Sequence, residues 1–319
     1  MSGIADEDED WSDASADSEK LVAQVAWYYY NDGLRQGDIA NRLGLSRIKV
    51  SRLLERGRQT GLIEVQINSR YEGSLRLQEQ LTSRFDLTEA RVIPALEEAP
   101  PDTRIGQAAA KFLARWLQPR DLLAIGWGRA VNAALRALSP TLIKREISLV
   151  SLTGGVSTYV TGVGTNGMRN NVHLIPTPLR VSTPEFAEML GKEPYVRNVL
   201  SMALTARVAI VGIGAASRNA TLVHDGYCTS GEIDLFVRQG AVGDILGYFY
   251  DRDGQVLSLD LHDHVVAVKL EEMKRIPTIV GAAAGAEKVE PILGALRGKL
   301  INILVTDETT AREILGRTS

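Results

Sequence analysis

The sequence predicts an α/β protein in two parts: an N-terminal helix-turn-helix domain of winged-helix-like type, then a large, doubly wound, mostly parallel α/β domain. Three observations carry that expectation. Apolar residues recur at helical spacing between glycines over residues 19–61, short apolar strands alternate with helices beyond residue 91, and positive charge concentrates in the first part. Residues 1–18 form a tail, 19–70 the first domain and 71–319 the second.

The tail holds Asp6-Glu7-Asp8-Glu9-Asp10 and little apolar surface, so burial cannot offset the entropy of ordering it, and it is expected to be disordered. From Glu19 to Asp32, Leu21, Val22, Val25, Trp27 and Tyr28 recur at helical spacing, and Gly33 supplies a stop. A second helix is expected over Arg35 to Leu43, with Ile39, Ala40 and Leu43 on one face, and Gly44 permits the tight turn. Ser46 then caps a third helix, which Gly61 ends. Leu62-Ile63-Glu64-Val65-Gln66-Ile67 alternates as a strand and reads as a wing or a hinge.

Strands are expected at Arg91 to Pro94, Leu122 to Gly126, Ile147 to Leu152, Val172 to Pro176, Val208 to Gly212, Thr278 to Gly281 and Ile301 to Thr306. Helices near Ile105 to Leu117 and Ala130 to Leu138 separate the first of them, as in a parallel sheet.

On the third helix an advance of 100° per residue puts Val50, Leu53, Leu54 and Gly57 on the packing face. Ser51, Arg52, Arg56 and Ile48 fall on the other. An outward isoleucine beside arginines near a helix start suits a major groove, where it can meet a thymine methyl while arginine bridges guanine O6 and N7. Arg47, Ile48, Ser51 and Arg52 are the candidates for base contact, and Gln36, Lys49, Arg56 and Arg58 for phosphate contact. For any one of these residues, an ordinary solvated helix face is an equal reading.

Net charge is −3 over 319 residues, which by itself argues weakly against nucleic-acid binding. The distribution reverses the argument: residues 1–19 hold eight acids and no base, whereas residues 20–70 hold nine Lys/Arg against four Asp/Glu. Cys228 is the only cysteine, so no intrachain disulfide or thiolate metal cluster can form. With no apolar run long enough to cross a bilayer and no signal-peptide pattern, a cytoplasmic location without membrane contact is expected.

Ligands of parallel sheets bind at the carboxyl ends of strands, so the loops there are where a site is sought. Ile125-Gly126-Trp127-Gly128-Arg129 opens a helix whose first N–H groups can hold a phosphate, with Arg129 adding charge. Leu152-Thr153-Gly154-Gly155, Gly240-Ala241-Val242-Gly243-Asp244 and Ala284-Gly285-Ala286-Glu287-Lys288 are further candidates. Each also fits a plain turn.

The order of Arg47 to Leu54, Ile125 to Gly128, Leu152 to Gly155, Gly240 to Asp244 and Val305-Thr306-Asp307-Glu308-Thr309-Thr310-Ala311 resembles the SorC/DeoR-type sugar-binding transcriptional regulators, from about Glu19 to the C-terminus. The resemblance implies an effector domain of the glucosamine-phosphate deaminase and ribose-phosphate isomerase type. It further implies a sugar, polyol or sugar-phosphate effector with no other cofactor, and a dimer or tetramer on double-stranded operator DNA. Carried over by position, Gly126-Trp127-Gly128-Arg129 matches the phosphate cradle, and Gly243, Asp244 and Lys288 match effector-facing positions. Thr153, before Gly154 and Gly155, takes a slot where some relatives carry a base, and Asn166 joins the effector set from the stretch Thr165 to Asn171, which is short for the helix usual there. The hydroxyl usual after Gly-Trp-Gly-x is here Ala130. Its loss from a phosphate site would forfeit about 1.5–3 kcal/mol.

The expected function is therefore regulation of a carbohydrate or polyol catabolic operon under effector control. The rival is a sugar-phosphate isomerase or deaminase fused to a DNA-binding domain, with Asp244 and Lys288 as base and amine. His262 and His264 alternate along an expected strand without a third ligand, so no metal is expected; His173 and His224 stand alone. A purely architectural DNA binder would not need so large an α/β domain.

Overall fold

The computed structural model describes residues 16–63, 72–95, 100–156 and 171–317. The acidic tail up to residue 15, the expected strand positions 64–67 with residues 68–71 after them, and Asn166 with its neighbours lie outside them. The chain divides into two compact units, Met1–Ser69 and Arg70–Ser319.

The first unit contains α1 (Ala16–Ala26), a π-helical turn (Trp27–Asn31), α2 (Gln36–Leu43) and α3 (Arg47–Gln59). Val22, Val25, Ile39, Ala40, Val50, Leu53, Leu54 and Ile63 close one small core. The Ser46 side chain caps α3 by accepting the Lys49 N–H at 3.1 Å, and Gly44 takes φ +66° to turn the chain between α2 and α3. Gly57 lies in the α3 face because nothing larger fits: a Cβ there would meet Ile63 Cδ1 at 2.4 Å and Val22 Cγ1 at 2.9 Å.

Two expectations change in this unit. The first helix is not uniform to Asp32, since its last turn widens into the π form and shifts the side-chain phase. Trp27, which opens that turn, is two positions past Val25 and so falls on the outer face, where it is 61% exposed. Leu62 and Ile63 are not strand; Ile63 donates its N–H to Gly57 O at 2.9 Å and folds back on the helix end.

The second unit is built on a seven-stranded, wholly parallel sheet in the order β1-β10-β9-β5-β2-β3-β4. The strands are β1 (Glu89–Ile93), β2 (Leu122–Ile125), β3 (Ser148–Ser151), β4 (Val172–His173), β5 (Val208–Gly212), β9 (Thr278–Ala282) and β10 (Ile303–Asp307). Every residue of β9 and β10 is buried, as strands covered on both faces require. A small antiparallel sheet adds β6 (Gly214–Ala215), β7 (Gly243–Ile245) and β8 (Tyr248–Tyr250).

Helices α4 (Glu72–Phe85), α5 (Pro101–Trp116) and α6 (Arg129–Lys144) come early in this unit. A Cβ on Gly106 of α5 would sit 2.6 Å from the Ala130 carbonyl and 2.5 Å from Ala133 Cβ, so α5 and α6 touch backbone to backbone there. From β2 the chain steps outward through β3 and β4, and from β5 it steps the other way through β9 and β10. The order therefore reverses between β2 and β5, and that is where a doubly wound sheet opens a crevice.

Candidate functional site

The crevice at the carboxyl ends of β2, β5 and β9 is a cleft with about 510 Å³ of empty space including its mouth. The Gly126–Arg129 turn forms one wall: Gly126 N–H donates to Ile210 O at 2.8 Å, which ties it to β5. Gly128 ends the turn at φ +125° as the first cap of α6, and no side chain caps that helix. Its first N–H groups are thus left facing the cleft, the arrangement that favours an anion. Arg129, however, already holds a partner, with Nε 2.9 Å from Asp102 Oδ2.

Asp244 enters from the opposite wall. The expected Gly240–Asp244 loop is not a loop at its end, because Gly243 and Asp244 lie in β7. Leu246 and Gly247 turn back to β8 at φ +57° and +85°, a two-residue hairpin of the kind matched to strand twist. Gly247 N–H donates to Asp244 Oδ2 at 3.1 Å, and Oδ1 fills the space over Gly214, where a Cβ would lie only 1.8 Å away. Burial pushes the Asp244 carboxyl up to about 6, against the pull of the Lys288 charge and the Gly247 N–H.

Lys288 ends a 3₁₀ turn, Ala286–Lys288, that starts after Gly285 at φ +119°. Gly285 N–H donates to Thr310 Oγ1 at 2.8 Å, and Thr310 N–H donates to Asp307 Oδ1 at 2.8 Å, so the Val305–Ala311 motif holds the lysine loop in place. Burial lowers the Lys288 ammonium from its usual range, while Glu287, Asp244 and Asp102 act the other way and Arg129 adds to the lowering. Lys288 makes no ion pair with Asp244 among the described residues, which leaves an acid and an amine both available to a ligand.

The structure thus brings Gly128, Arg129, Trp127, Asp244 and Lys288 to one cleft. Gly126 and Gly243 stand behind the lining. Thr153, Gly154 and Gly155 do not reach it. Thr153 is buried in a bridge to Ala267, Gly154 lies against Thr177 and Pro178, and Gly155 lies against the Tyr227 hydroxyl. Their role is one step removed, since Tyr227 packs edge-on against Trp127. Asp102, Gly212, Gly214 and Thr221 line the cleft without having been singled out from the sequence. The glycines were within reach of the strand-end rule: Gly212-Ile213-Gly214 ends an apolar strand, and a Cβ on Gly212 would meet Trp127 O at 2.8 Å.

The two histidines expected to alternate on a strand lie instead in a 3₁₀ turn, Asp260–His264. His262 Nε2 accepts the Phe249 N–H at 2.9 Å and His264 Nδ1 lies 3.0 Å from Val181 O, so each supports the backbone separately.

In the first unit the inward set Val50, Leu53, Leu54 and Gly57 is buried. Arg47, Ile48, Ser51, Arg52 and Arg58 are exposed, with Ile48 at 67%, while Gln36, Lys49 and Arg56 are half-buried. Arg58 is partly engaged, 3.1 Å from Glu55 and 3.5 Å from the Tyr30 hydroxyl. Gln36, Arg47, Tyr29 and Arg35 border one open hollow at the start of α2.

A helix-turn-helix unit with a basic outer face, joined to an α/β unit with a charged cleft at its switch point, defines the class of ligand-responsive transcription regulators. The family model "Putative sugar-binding domain" matches residues 69–316. The chain is 51% identical to the transcriptional regulator LsrR of Klebsiella pneumoniae subsp. pneumoniae over 94% of each chain, and 47% identical to LsrR of Escherichia coli K12 over 93% of this chain and 95% of that one. The crystal structure of the full-length sorbitol operon regulator SorC from Klebsiella pneumoniae superposes with a TM-score of 0.70 at 31% identity, covering 94% of this chain and 100% of that one. A DeoR family transcriptional regulator from Listeria monocytogenes gives 0.70 at 26% identity over 76% and 100%. The chain belongs to the SorC-type family of sugar-binding, DNA-binding transcriptional regulators.

Proposed function

We propose that the chain regulates a carbohydrate or polyol operon: α3 reads double-stranded operator DNA, and a sugar, polyol or sugar phosphate in the cleft changes how tightly it is held. Arg47, Ile48, Ser51 and Arg52 meet base edges, and Gln36, Lys49, Arg56 and Arg58 meet phosphates. In the cleft, Asp244 accepts ligand hydroxyls, Lys288 donates to them, and the uncapped start of α6 takes the most negative group. The observation that carries this reading is the meeting of Trp127, Gly128, Arg129, Asp244 and Lys288 at the β2/β5 switch point. Two-fold operators favour an even-numbered assembly, so the working form is a dimer or tetramer.

The same groups act as a binder and not as a catalyst. In this reading Asp244, which accepts the Gly247 N–H on one oxygen, offers its other oxygen to a ligand hydroxyl and not to a proton in transit. The names of the relatives, a sorbitol operon regulator among them, favour the same side.

Thermal unfolding of the full chain against sugars, polyols and their phosphates tests the reading. A true effector at a hundred times its dissociation constant stabilises by about 2.7 kcal/mol. That shift is expected to vanish in Lys288→Met; a panel in which no carbohydrate moves the transition contradicts the proposal.

A further inference from the structure

The cleft carries its own counter-ion for the cation that a phosphate would use. Asp102 stands in the first turn of α5, where a carboxylate is favoured by the helix field, and its Oδ2 lies 2.9 Å from Arg129 Nε at the first position of α6. A typical surface ion pair joins two free-swinging side chains and is worth little. Here the two backbones are fixed against each other, because α5 and α6 touch at Gly106, whose Cβ would meet Ala130 O and Ala133 Cβ. Asp102 is also the less exposed partner, at 29% against 64% for Arg129, and it borders the same cleft as Lys288 and Asp244. The site thus balances two acids, Asp102 and Asp244, against two bases, Arg129 and Lys288. A neutral polyol can enter without disturbing the Asp102–Arg129 pair. An anionic group aimed at the start of α6 has to compete with Asp102 for the guanidinium, and it does so without the hydroxyl that Ala130 does not supply.

We propose that Asp102 is a specificity determinant of the cleft: its carboxylate occupies Arg129 until a doubly charged phosphate group displaces it, so that the empty site turns away weaker anions. This rests on the effector-cleft reading above. Removing the charge at position 102 frees Arg129 and strengthens binding of small anions in general, whereas a neutral polyol is held as before.

The test is calorimetric titration of the full chain with inorganic phosphate, and separately with acetate, for the wild type, Asp102→Asn, Asp102→Ser, Asp102→Glu and Arg129→Gln. Asp102→Asn and Asp102→Ser are both expected to bind phosphate about fivefold more tightly, the upper range for releasing an exposed ion pair, and to gain measurable affinity for acetate. Asp102→Glu keeps the charge and is expected to behave as the wild type, and adding Arg129→Gln to Asp102→Asn is expected to cancel the gain. Unchanged or weaker phosphate binding in both neutral variants, with loss in Arg129→Gln, overturns the role of Asp102 and leaves the cleft reading standing. Absence of phosphate binding in every protein also overturns the role of Asp102, while the cleft reading, which admits a neutral polyol, then stands or falls on the thermal-unfolding panel.

Discussion

The two units place function on opposite sides of their cores. In the first, a core of a few apolar side chains exists to aim an exposed face outward: Val50, Leu53 and Leu54 are buried so that Ile48, Ser51 and Arg52 are not. In the second, the candidate effector groups sink inward, with Asp244 3% exposed and Lys288 held below its usual protonation range by burial. A surface reader needs only one well-placed helix, because DNA supplies the concave partner. A small-molecule site needs a concavity assembled from several strand ends, and each group in it is tuned by the others. A change in the first unit therefore acts through the aim of one helix, and a change in the second through the balance of charges in its cleft.

The largest expected effect comes from overfilling the small core. Gly57→Val places its Cβ and methyls against Ile63 and Val22 and is expected to cost about 3 kcal/mol. Circular dichroism and operator titration should show loss of DNA binding, while stabilisation by effector persists in the second unit. Loss of both would mean that the two units do not fold separately.

Next comes the titration of Asp244, where the sign is fixed by burial. Below about pH 4 the carboxyl is protonated in folded and unfolded chains alike; between about 4 and 6 only the folded chain keeps the proton. Stability of the unliganded protein should therefore fall as pH rises through that window, by about 3 kcal/mol in all, and level off above it. Chemical denaturation against pH should show the slope in the wild type and lose it in Asp244→Asn. Affinity for a polyol that donates hydroxyls to the carboxylate should rise over the same range.

Arg52→Ala should cost about 1–3 kcal/mol on the preferred operator and relax sequence preference, measured by titration on specific and random duplexes. An equal loss on both would make Arg52 a phosphate contact. The smallest effect belongs to Glu232, whose carboxyl is held down at about 2, chiefly by the Arg180 guanidinium 2.8 Å away. Its contribution is present above the ordinary carboxylate range and is lost as pH falls toward 2. Glu232→Gln keeps the Thr229 cap and should lower stability by roughly 1 kcal/mol near neutral pH, read by denaturant midpoint.

The same contrast explains what was legible in the sequence. A helix writes its faces into a period, so the buried and exposed sets of α3 could be read residue by residue, and apolar runs such as Val208–Gly212 marked the parallel strands. Three-residue strands leave no period, so β7 looked like a loop and the seat of Asp244 was misplaced. His262 and His264 mimicked a strand because spacing of two is also available to a short 3₁₀ turn. Trp27, two positions past the buried Val25, already falls on the outer face of a regular helix, so its exposure agrees with the period. Asp102, twenty-seven positions from its partner Arg129, carried no local mark at all. Thr153-Gly154-Gly155 shares the strand-then-glycine pattern of the cradle, yet stands outside the cleft lining, with Gly155 against the Tyr227 hydroxyl and Gly154 against Thr177 and Pro178.

The most direct test of the account is operator affinity of the full chain with and without the carbohydrate that stabilises it, in the wild type and in Lys288→Met. Coupling between the two units predicts about a tenfold change in wild-type operator affinity on adding effector, and none in Lys288→Met, whose affinity without effector stays that of the wild type. A wild-type operator affinity that does not move when the cleft is saturated would contradict it, because a ligand with equal affinity for both states shifts neither.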